Sequence, residues 1–198
     1  MLFKAGISYK YILIGILILL IVAPLAYMFV LSDYQQNRIK VFLNPELDPL
    51  DSGYNAIQSK IAIGSGKFFG TGLLKGTQTQ FGYLPVKSSD FIFSAISEEM
   101  GFVASIAIVI IYIVMIIRMI NISTTAKDNY GSLLAIGIAS MYIFHLLENV
   151  GMTMGLLPIT GIPLLFVSYG GSSMLTSFIS LGIMLSISGR RQRSFFVR

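Results

Sequence analysis

Residues 101–117 read GFVASIAIVIIYIVMII and contain no charged side chain. A helix that crosses the hydrocarbon core of a membrane needs about 20 mostly apolar residues, and this run supplies most of them. The composition of the whole chain points the same way, since 55% of its 198 residues are hydrophobic and only 12% are charged. A mean hydropathy of +0.78 leaves too little polar surface for an ordinary water-soluble protein. The sequence therefore predicts an integral membrane protein.

Four apolar segments are long enough to span a membrane, and they predict an all-α, polytopic membrane helical bundle. The predicted spans cover residues 11–31, 91–120, 131–157 and 164–187 of a single membrane domain, 1–198. A signal peptide is the alternative for the first segment, but its apolar run exceeds the usual ~7–15 residues and Pro24 occupies the candidate cleavage site. Between the last two spans, the prolines and glycine at 158–163 break any helix and predict a re-entrant segment.

Basic residues predict the orientation of these spans. Four of the fourteen Lys and Arg residues lie in the tail at 188–198, which is typical of a cytoplasmic anchor rather than of a nucleic-acid site. With four spans, both termini share the cytoplasmic side and the loop at 32–90 is external. Six Lys or Arg residues in that loop argue against this orientation, although five acids nearly balance them.

The external loop carries two structural signals of its own. The stretch YNAIQSKIAIGSG, residues 54–66, places Tyr54, Ile57 and Ile61 at helical spacing and predicts a short amphipathic helix on the membrane surface. Five glycines in GSGKFFGTGLLKGTQTQ, residues 64–80, predict turns in which the backbone approaches other groups closely. A phosphate cradle is a weaker alternative, because the sequence lacks a Walker-type lysine-serine pair.

The chain has no cysteine and one histidine, which excludes thiolate chemistry and a metal site built on several imidazoles. Among its carboxylates, Asp90 stands directly before the second span. It begins a polar stripe at helical spacing. This stripe has two explanations: Asp90 caps the helix while the small residues let a neighbouring helix pack closely, or the stripe has a catalytic function. The other members are Ser94, Ser97, Gly101 and Ser105, with Glu98 at the edge and Glu99 on the opposite face. Because a carboxylate buried in lipid is costly, we expect Glu98 to be functional or paired.

The third span has a second polar stripe, made of His145, Glu148, Asn149 and Met152. A lone histidine in a helical bundle is more often a structural hydrogen-bonding group than a catalyst. We therefore predict structural polar roles for His145 and Asn149, as for Glu98. Read by themselves, Glu98 and the broken segment before the fourth span also fit a lipid or ion translocator.

Three stretches together resemble the SEDS family of cell-wall polymerases. They are QSKIAIGSG at 58–66, GTGLLKGTQTQFGYLPVKSSDFIFSAISEEMGF at 70–102 and ENVGMTMGLLPITGIPLLFVSYGGSS at 148–173. The GTQTQ element and the run from DYQQNRIK onward are most similar to the RodA-like members that act in rod shape. The resemblance runs from about Asp33 to Arg191 and corresponds to the C-terminal half of the family's helical bundle.

The resemblance implies a glycosyltransferase that polymerises lipid II into peptidoglycan at the outer face of the bacterial plasma membrane during cell-wall elongation. A class B penicillin-binding protein would be its partner. Asp90 falls on the family's essential aspartate, which would deprotonate or orient the acceptor hydroxyl, or hold a divalent cation such as Mg²⁺ or Mn²⁺ against the lipid pyrophosphate. The substrate-binding candidates are Gln58, Ser59, Lys60, Lys67, Lys75, Lys87, Ser168, Tyr169, Gly170 and Gly171. The four lysines fit a diphosphate site and a solvated loop face equally well.

Three hypotheses remain open, because the family's bundle is larger than this chain. The chain could be a truncated or split polymerase, or a non-catalytic membrane subunit that docks a penicillin-binding protein. It could also be the lipid or ion translocator that the polar features suggest. The DFIF and SYGGSS motifs together favour the polymerase lineage.

Overall fold

The computed structural model of the protein describes residues 9–48, 52–84, 86 and 88–190. Those residues form helices and loops, with no strand among them. The α-helices are α1 (Tyr9–Phe29), α2 (Asp33–Leu43), α3 (Ser52–Ser65), α4 (Thr77–Gln80), α5 (Ile92–Thr124), α6 (Asn129–Thr153) and α7 (Gly171–Gly189). A single 3₁₀ turn, Pro45–Leu47, follows α2. The predicted all-α class is confirmed.

Within the described ranges, four helices are long and apolar enough to cross a membrane: α1, α5, α6 and α7, with 21, 33, 25 and 19 residues. They correspond to the four predicted spans and confirm a multi-pass helical bundle. The last helix begins at Gly171, later than the predicted start at Leu164. The reason is a turn over residues 164–168, in which the Leu164 N–H donates to Ser168 Oγ at 2.8 Å.

The hydrophobic core lies between α5, α6 and α7, where Tyr142 and Met184 are almost fully buried. Hydroxyl groups connect the helices beside this core. Tyr142 Oη lies 3.0 Å from Ser180 Oγ, which ties α6 to α7. At the far end of α5, Ser132 Oγ donates to the Ser123 carbonyl at 2.7 Å and ties α5 to α6. Since polar groups in a membrane need partners, these bonds help to fix the register of the three helices.

The segment between α6 and α7 folds back into the bundle, as predicted for the re-entrant stretch. Its backbone is irregular, yet Leu164 and Leu165 are 0% and 1% exposed and belong to the core. Carbonyl groups in such a segment have no intrahelical partner, so they need other donors. The donors here are side chains on α2, α5 and α6, namely Arg38, Tyr112, His145 and Asn149.

The helix α3 forms where the sequence predicted a short amphipathic helix, and it turns its small residues toward the bundle. Ile57 and Ile61 are 37% and 44% exposed, whereas Ser59 and Ala62 are fully buried. The buried face consists of small residues because α3 lies close to α5. An added Cβ at Gly66, just after α3, would lie 1.8 Å from the Ser97 carbonyl oxygen. Close approach of the backbones, rather than apolar side-chain bulk, determines which face is covered.

A break in α5 explains the glycine-rich segment of the loop. Gly101 has a φ of +76° and a ψ of −172°, so the helical hydrogen bonding is interrupted there. We call residues 66–72, which pack against this break, the glycine clasp. At the break, backbone carbonyl and N–H groups of α5 lose their partners within the helix, and the backbone of the clasp replaces those partners. The four hydrogen bonds are Thr71 N to Glu98 O (2.9 Å), Gly72 N to Glu99 O (3.0 Å), Phe102 N to Lys67 O (2.9 Å) and Val103 N to Phe68 O (3.2 Å). The glycines therefore serve close backbone contact.

Candidate functional site

Asp90 lies in a turn directly before α5, and its side chain is partly buried. Ser89 Oγ donates a hydrogen bond to Asp90 Oδ1 at 3.0 Å. The other carboxylate oxygen, Oδ2, faces the Cα of Gly161, where an added Cβ would come within 3.2 Å of it. Gly161 has a φ of +74°, a conformation that favours glycine. The re-entrant segment can thus pass beside the carboxylate without covering it.

Three contacts fix the backbone of the Asp90 turn. Asn149 Nδ2 donates to the Asp90 carbonyl at 3.0 Å and to the Ile162 carbonyl at 2.8 Å. Ser168 Oγ donates to the Ser89 carbonyl at 2.6 Å, and the Tyr169 N–H donates to the Ser88 carbonyl at 2.8 Å. The turn is therefore held by α6 and by the SYGGSS motif together, which gives the carboxylate a defined position.

A polar cleft of about 210 Å³ opens beside Asp90. Arg38 of α2 also lines it, and the rest of the wall includes Asn37, Asn55 and Ile159. The cleft therefore presents a carboxylate and a guanidinium to the same space, as a substrate that carries both hydroxyl groups and phosphates requires.

Arg38 is the site residue that sequence reasoning missed. Its guanidinium donates to the Ile159 carbonyl and to the Tyr34 hydroxyl, and it lies 4.7 Å above the centre of the Tyr34 ring. The Nε atom is buried and finds no hydrogen-bond partner among the described residues. The available signal was the spacing in DYQQNRIK, which places an arginine one helical turn after a tyrosine.

The predicted lysines stand away from Asp90. Lys60 packs against the Cα of Gly155 and shares a small cavity with Arg38. Lys67 lines an apolar groove beside α5, and the Lys75 side chain lies against Gly72. Lys87 lies outside the described residues. None of the lysines in the described ranges lines the Asp90 cleft.

The other substrate-binding candidates divide into buried and exposed groups. Ser59 is fully buried, donates to the Thr153 carbonyl at 2.7 Å and lies 2.6 Å from Ser94 Oγ, so it connects α3 to α5 and α6. In this structure the Ser59 hydroxyl therefore connects helices, and its predicted contact with substrate stays a prediction. Gln58 is partly buried, and Ser168 acts on the Asp90 turn rather than facing the cleft. Tyr169 is 80% exposed, and Gly170 and Gly171 begin α7.

Glu98 is fully buried and has a structural explanation. Its carboxylate accepts hydrogen bonds from the backbone N–H groups of Gln78 and Thr79 at 2.8 and 2.9 Å. An added Cβ at Gly76 would lie 2.6 Å from Glu98 Oε2, which accounts for the glycine of GTQTQ. Glu99, which helical spacing places on the opposite face of α5 from Asp90, has a carboxylate that accepts from Thr79 Oγ1 at 3.2 Å and from Gln80 Nε2 at 3.0 Å.

The stripe on α6 holds the re-entrant segment. His145 Nδ1 lies 2.8 Å from the Pro163 carbonyl oxygen, and since a carbonyl only accepts, Nδ1 carries the proton. Glu148 is 9% exposed, and its Oε1 accepts from Thr160 Oγ1 at 2.8 Å. Together with Asn149, these side chains place Gly161 against Asp90.

Replacing His145 by Gln should lower the free energy of unfolding by at most about 1.5 kcal/mol, the upper value for a single hydrogen bond. The loss is small because an amide can still donate to the Pro163 carbonyl. Circular dichroism at 222 nm during heating measures this, since the chain has no tryptophan for a fluorescence assay. His145→Leu, which lacks a donor, should lose more. A folded Gln variant without any activity would contradict the structural role.

No group of three or more His, Asp or Glu side chains could hold a metal ion within the described ranges. A cation at Asp90 would have one protein carboxylate and would take its remaining ligands from a diphosphate or from water, as Mg²⁺ does in phosphate sites.

Comparisons with known proteins agree with this architecture. Residues 1–193 match the FTSW_RODA_SPOVE family model, described as cell cycle protein. The chain is 50% identical to peptidoglycan glycosyltransferase RodA of Treponema pallidum over 82% of its own length and 37% of that protein. It is 41% identical to peptidoglycan glycosyltransferase MrdB of Escherichia coli over 96% of its length and 52% of that protein.

A comparison with a solved structure supports the same helical fold. Its description is "Structural coordination of polymerization and crosslinking by a peptidoglycan synthase complex", and one of its chains superposes with a TM-score of 0.79 at 28% identity. The superposition covers 97% of this chain and 52% of that one. The chain thus spans about half the length of these relatives or less.

Proposed function

The chain belongs to the FtsW/RodA/SpoVE family of cell cycle proteins, and we propose that it carries the catalytic carboxylate of a peptidoglycan glycosyltransferase that polymerises lipid II in cell-wall elongation. The observation that carries the proposal is the cleft in which Asp90 and Arg38 face the same space. The names of the relatives support the reaction class, since both are peptidoglycan glycosyltransferases.

In the proposed reaction, a hydroxyl group of the acceptor sugar attacks the anomeric carbon of the donor sugar. A new carbon–oxygen bond forms there, the bond to the lipid diphosphate breaks, and the diphosphate leaves with the electron pair. The proton of the hydroxyl passes to the Asp90 carboxylate, which acts as general base. Ser89 and Gly161 keep this carboxylate oriented and uncovered.

Arg38 is proposed to bind the diphosphate. A guanidinium can donate two parallel hydrogen bonds to phosphate oxygens, and its charge does not depend on pH in the physiological range. The Nη1 and Nη2 groups each carry two N–H donors and use one of them, on the Ile159 carbonyl and the Tyr34 hydroxyl, so the second donor of each can bind a phosphate oxygen without breaking an existing bond. Lys60, which shares a small cavity with Arg38, is the second cation on that side.

The proposed setting follows from the same arrangement. If both termini are cytoplasmic, the Asp90 cleft opens at the outer face of the plasma membrane, because α5 begins beside Asp90 and ends at the other side. We propose a class B penicillin-binding protein as partner. The solved synthase complex supports this, since its description couples polymerization to crosslinking.

Replacing Arg38 by Gln should raise the lipid II concentration needed for half-maximal rate by roughly 10–100-fold, because charge-assisted hydrogen bonds to the diphosphate are lost. The rate of glycan-strand formation is measured against lipid II concentration, with the chain alone and with the chain co-expressed with the part of the E. coli relative that it does not span. Lys40→Gln is the matched control, since Lys40 is an exposed cation on the same helix that does not line the cleft. If both substitutions raised this lipid II concentration equally, the proposed role of Arg38 would be wrong.

A further inference from the structure

A second polar cavity lies at the end of the bundle that is far from Asp90. Its volume is about 180 Å³, and it is enclosed by the connection between α5 and α6 on one side and by the end of α7 on the other. The helix α5 separates the two sites along its whole length, since it begins two residues after Asp90 and ends three residues before Lys127. At about 1.5 Å of rise per residue, the part of α5 that follows the break at Gly101 is by itself about 35 Å long, enough to cross the roughly 30 Å core of a membrane.

Two cations from separate elements meet in this cavity. Lys127 precedes α6 and Arg190 follows α7, and both line the wall. Asp128 lines it as well, but its Oδ2 already accepts a hydrogen bond from the Gly131 N–H at 3.2 Å, as the cap of α6. The two cations against one engaged carboxylate leave an excess of one positive charge, which suits an anionic group with several acceptor oxygens.

The remaining walls of the cavity are apolar, so the cavity fits an amphiphilic ligand better than a purely polar one. Leu134, Ile183 and Ile187 continue the cavity from the cations toward the middle of the bundle. Tyr130 lines it too and is 75% exposed, an amphipathic ring at the end of a span. A free phosphate would gain nothing from the apolar walls, whereas a lipid would place its headgroup at the cations and its chain against the leucine and isoleucines.

We propose that this cavity binds the phosphate headgroup of an anionic phospholipid. Basic pockets between membrane helices are suited to such headgroups, which add to the surface attraction of each cation. Bound there, the lipid connects the start of α6 to the end of α7, where an added Cβ at Gly131 would already be 3.5 Å from Ile187 Cγ2. The proposal does not depend on the glycosyltransferase assignment.

The test compares lipid binding to the detergent-solubilised chain by native mass spectrometry, with dioleoylphosphatidylglycerol and dioleoylphosphatidylcholine as probes. We expect tighter binding of the anionic lipid, and at least a tenfold weakening in the double variant Lys127→Gln, Arg190→Gln. Arg118→Gln is the control for each of the two single substitutions, because it likewise removes one positive charge, from α5, at a position that does not line the cavity. The charge-conserving variant Lys127→Arg, Arg190→Lys should bind as the wild type does, which separates charge from folding.

Three results would overturn the proposal: equal binding of the two lipids, an unchanged affinity in the double Gln variant, or an equal loss in Arg118→Gln. A fourth is competition by inorganic phosphate at the lipid's own concentration, because the site would then recognise phosphate without a lipid. Asp90→Asn should bind the anionic lipid normally, so a failure of the catalytic proposal leaves this result intact.

Discussion

Replacing Asp90 by Asn should lower the rate of lipid II polymerisation by about 10²–10⁴, the usual contribution of a general base. The amide has nearly the same shape as the carboxylate, and its oxygen can still accept the hydrogen bond from Ser89. It cannot accept the proton of the acceptor hydroxyl. The backbone contacts from Asn149, Ser168 and Tyr169 do not involve the Asp90 side chain, so the turn should keep its conformation. The initial rate of glycan-strand formation from purified lipid II is the measurement.

Asp128→Asn is the matched control for this prediction. Asp128 also stands at the start of a membrane-spanning helix, where it caps α6, and asparagine is an equally good capping residue. The substitution makes the same chemical change at the opposite end of the bundle. Its rate should equal that of the wild type, and an equal loss in both variants would attribute the effect to stability or insertion instead of chemistry.

Replacing Gly101 by Ala should destabilise the fold by more than about 3 kcal/mol. The backbone conformation at Gly101 is essentially restricted to glycine and costs other residues about 1–3 kcal/mol. In addition, the new Cβ would lie 2.3 Å from the Gly70 nitrogen and 2.6 Å from the Phe68 carbonyl oxygen, both of which belong to the backbone of the glycine clasp. Relieving these overlaps separates the clasp from α5 and weakens its four hydrogen bonds, each worth about 0.5–1.5 kcal/mol. Thermal unfolding followed at 222 nm measures the loss.

Gly182→Ala supplies the control for the clasp. Gly182 lies within α7, and an added Cβ there meets nothing within 4 Å. Alanine is the better helix former by about 1 kcal/mol, so this variant should be as stable as the wild type or slightly more stable. A Gly101→Ala protein that unfolds at the same temperature as Gly182→Ala would contradict the clasp.

Features that depend on composition along the chain could be predicted from the sequence. Apolar length identified the four membrane-spanning helices, and the prolines of LLPITGIP identified the segment that folds back. Helical spacing also placed Ser94, Ser97 and Ser105 on one stripe of α5, and all three are buried. In each case one local property of the sequence determines the structure, such as hydropathy or the absence of a backbone N–H at proline.

Features that depend on which elements meet in space could not be predicted. The spacing of Ile57 and Ile61 predicted an apolar face on α3, but it could not reveal that small residues on another face, such as Ser59, pack against α5. Glu98 was recognised as a costly buried charge, yet its partners are backbone N–H groups twenty residues earlier, which no helical spacing reveals. Arg38 lies 52 residues before Asp90 in the sequence, and only the fold brings both to one cleft.

The most direct test of the central claim measures lipid II binding and formation of the first glycosidic bond in the same preparations of wild type, Asp90→Asn and Arg38→Gln. The account predicts a split between the two steps, because Asp90 acts on the reacting hydroxyl and Arg38 on the diphosphate. Asp90→Asn should bind lipid II as tightly as the wild type and form bonds at least about 100-fold more slowly. Arg38→Gln should bind roughly 10–100-fold more weakly and lose much less of its rate at saturating lipid II. Bond formation by Asp90→Asn at the wild-type rate, or the absence of bond formation in every preparation including the co-expressed wild type, would contradict the claim.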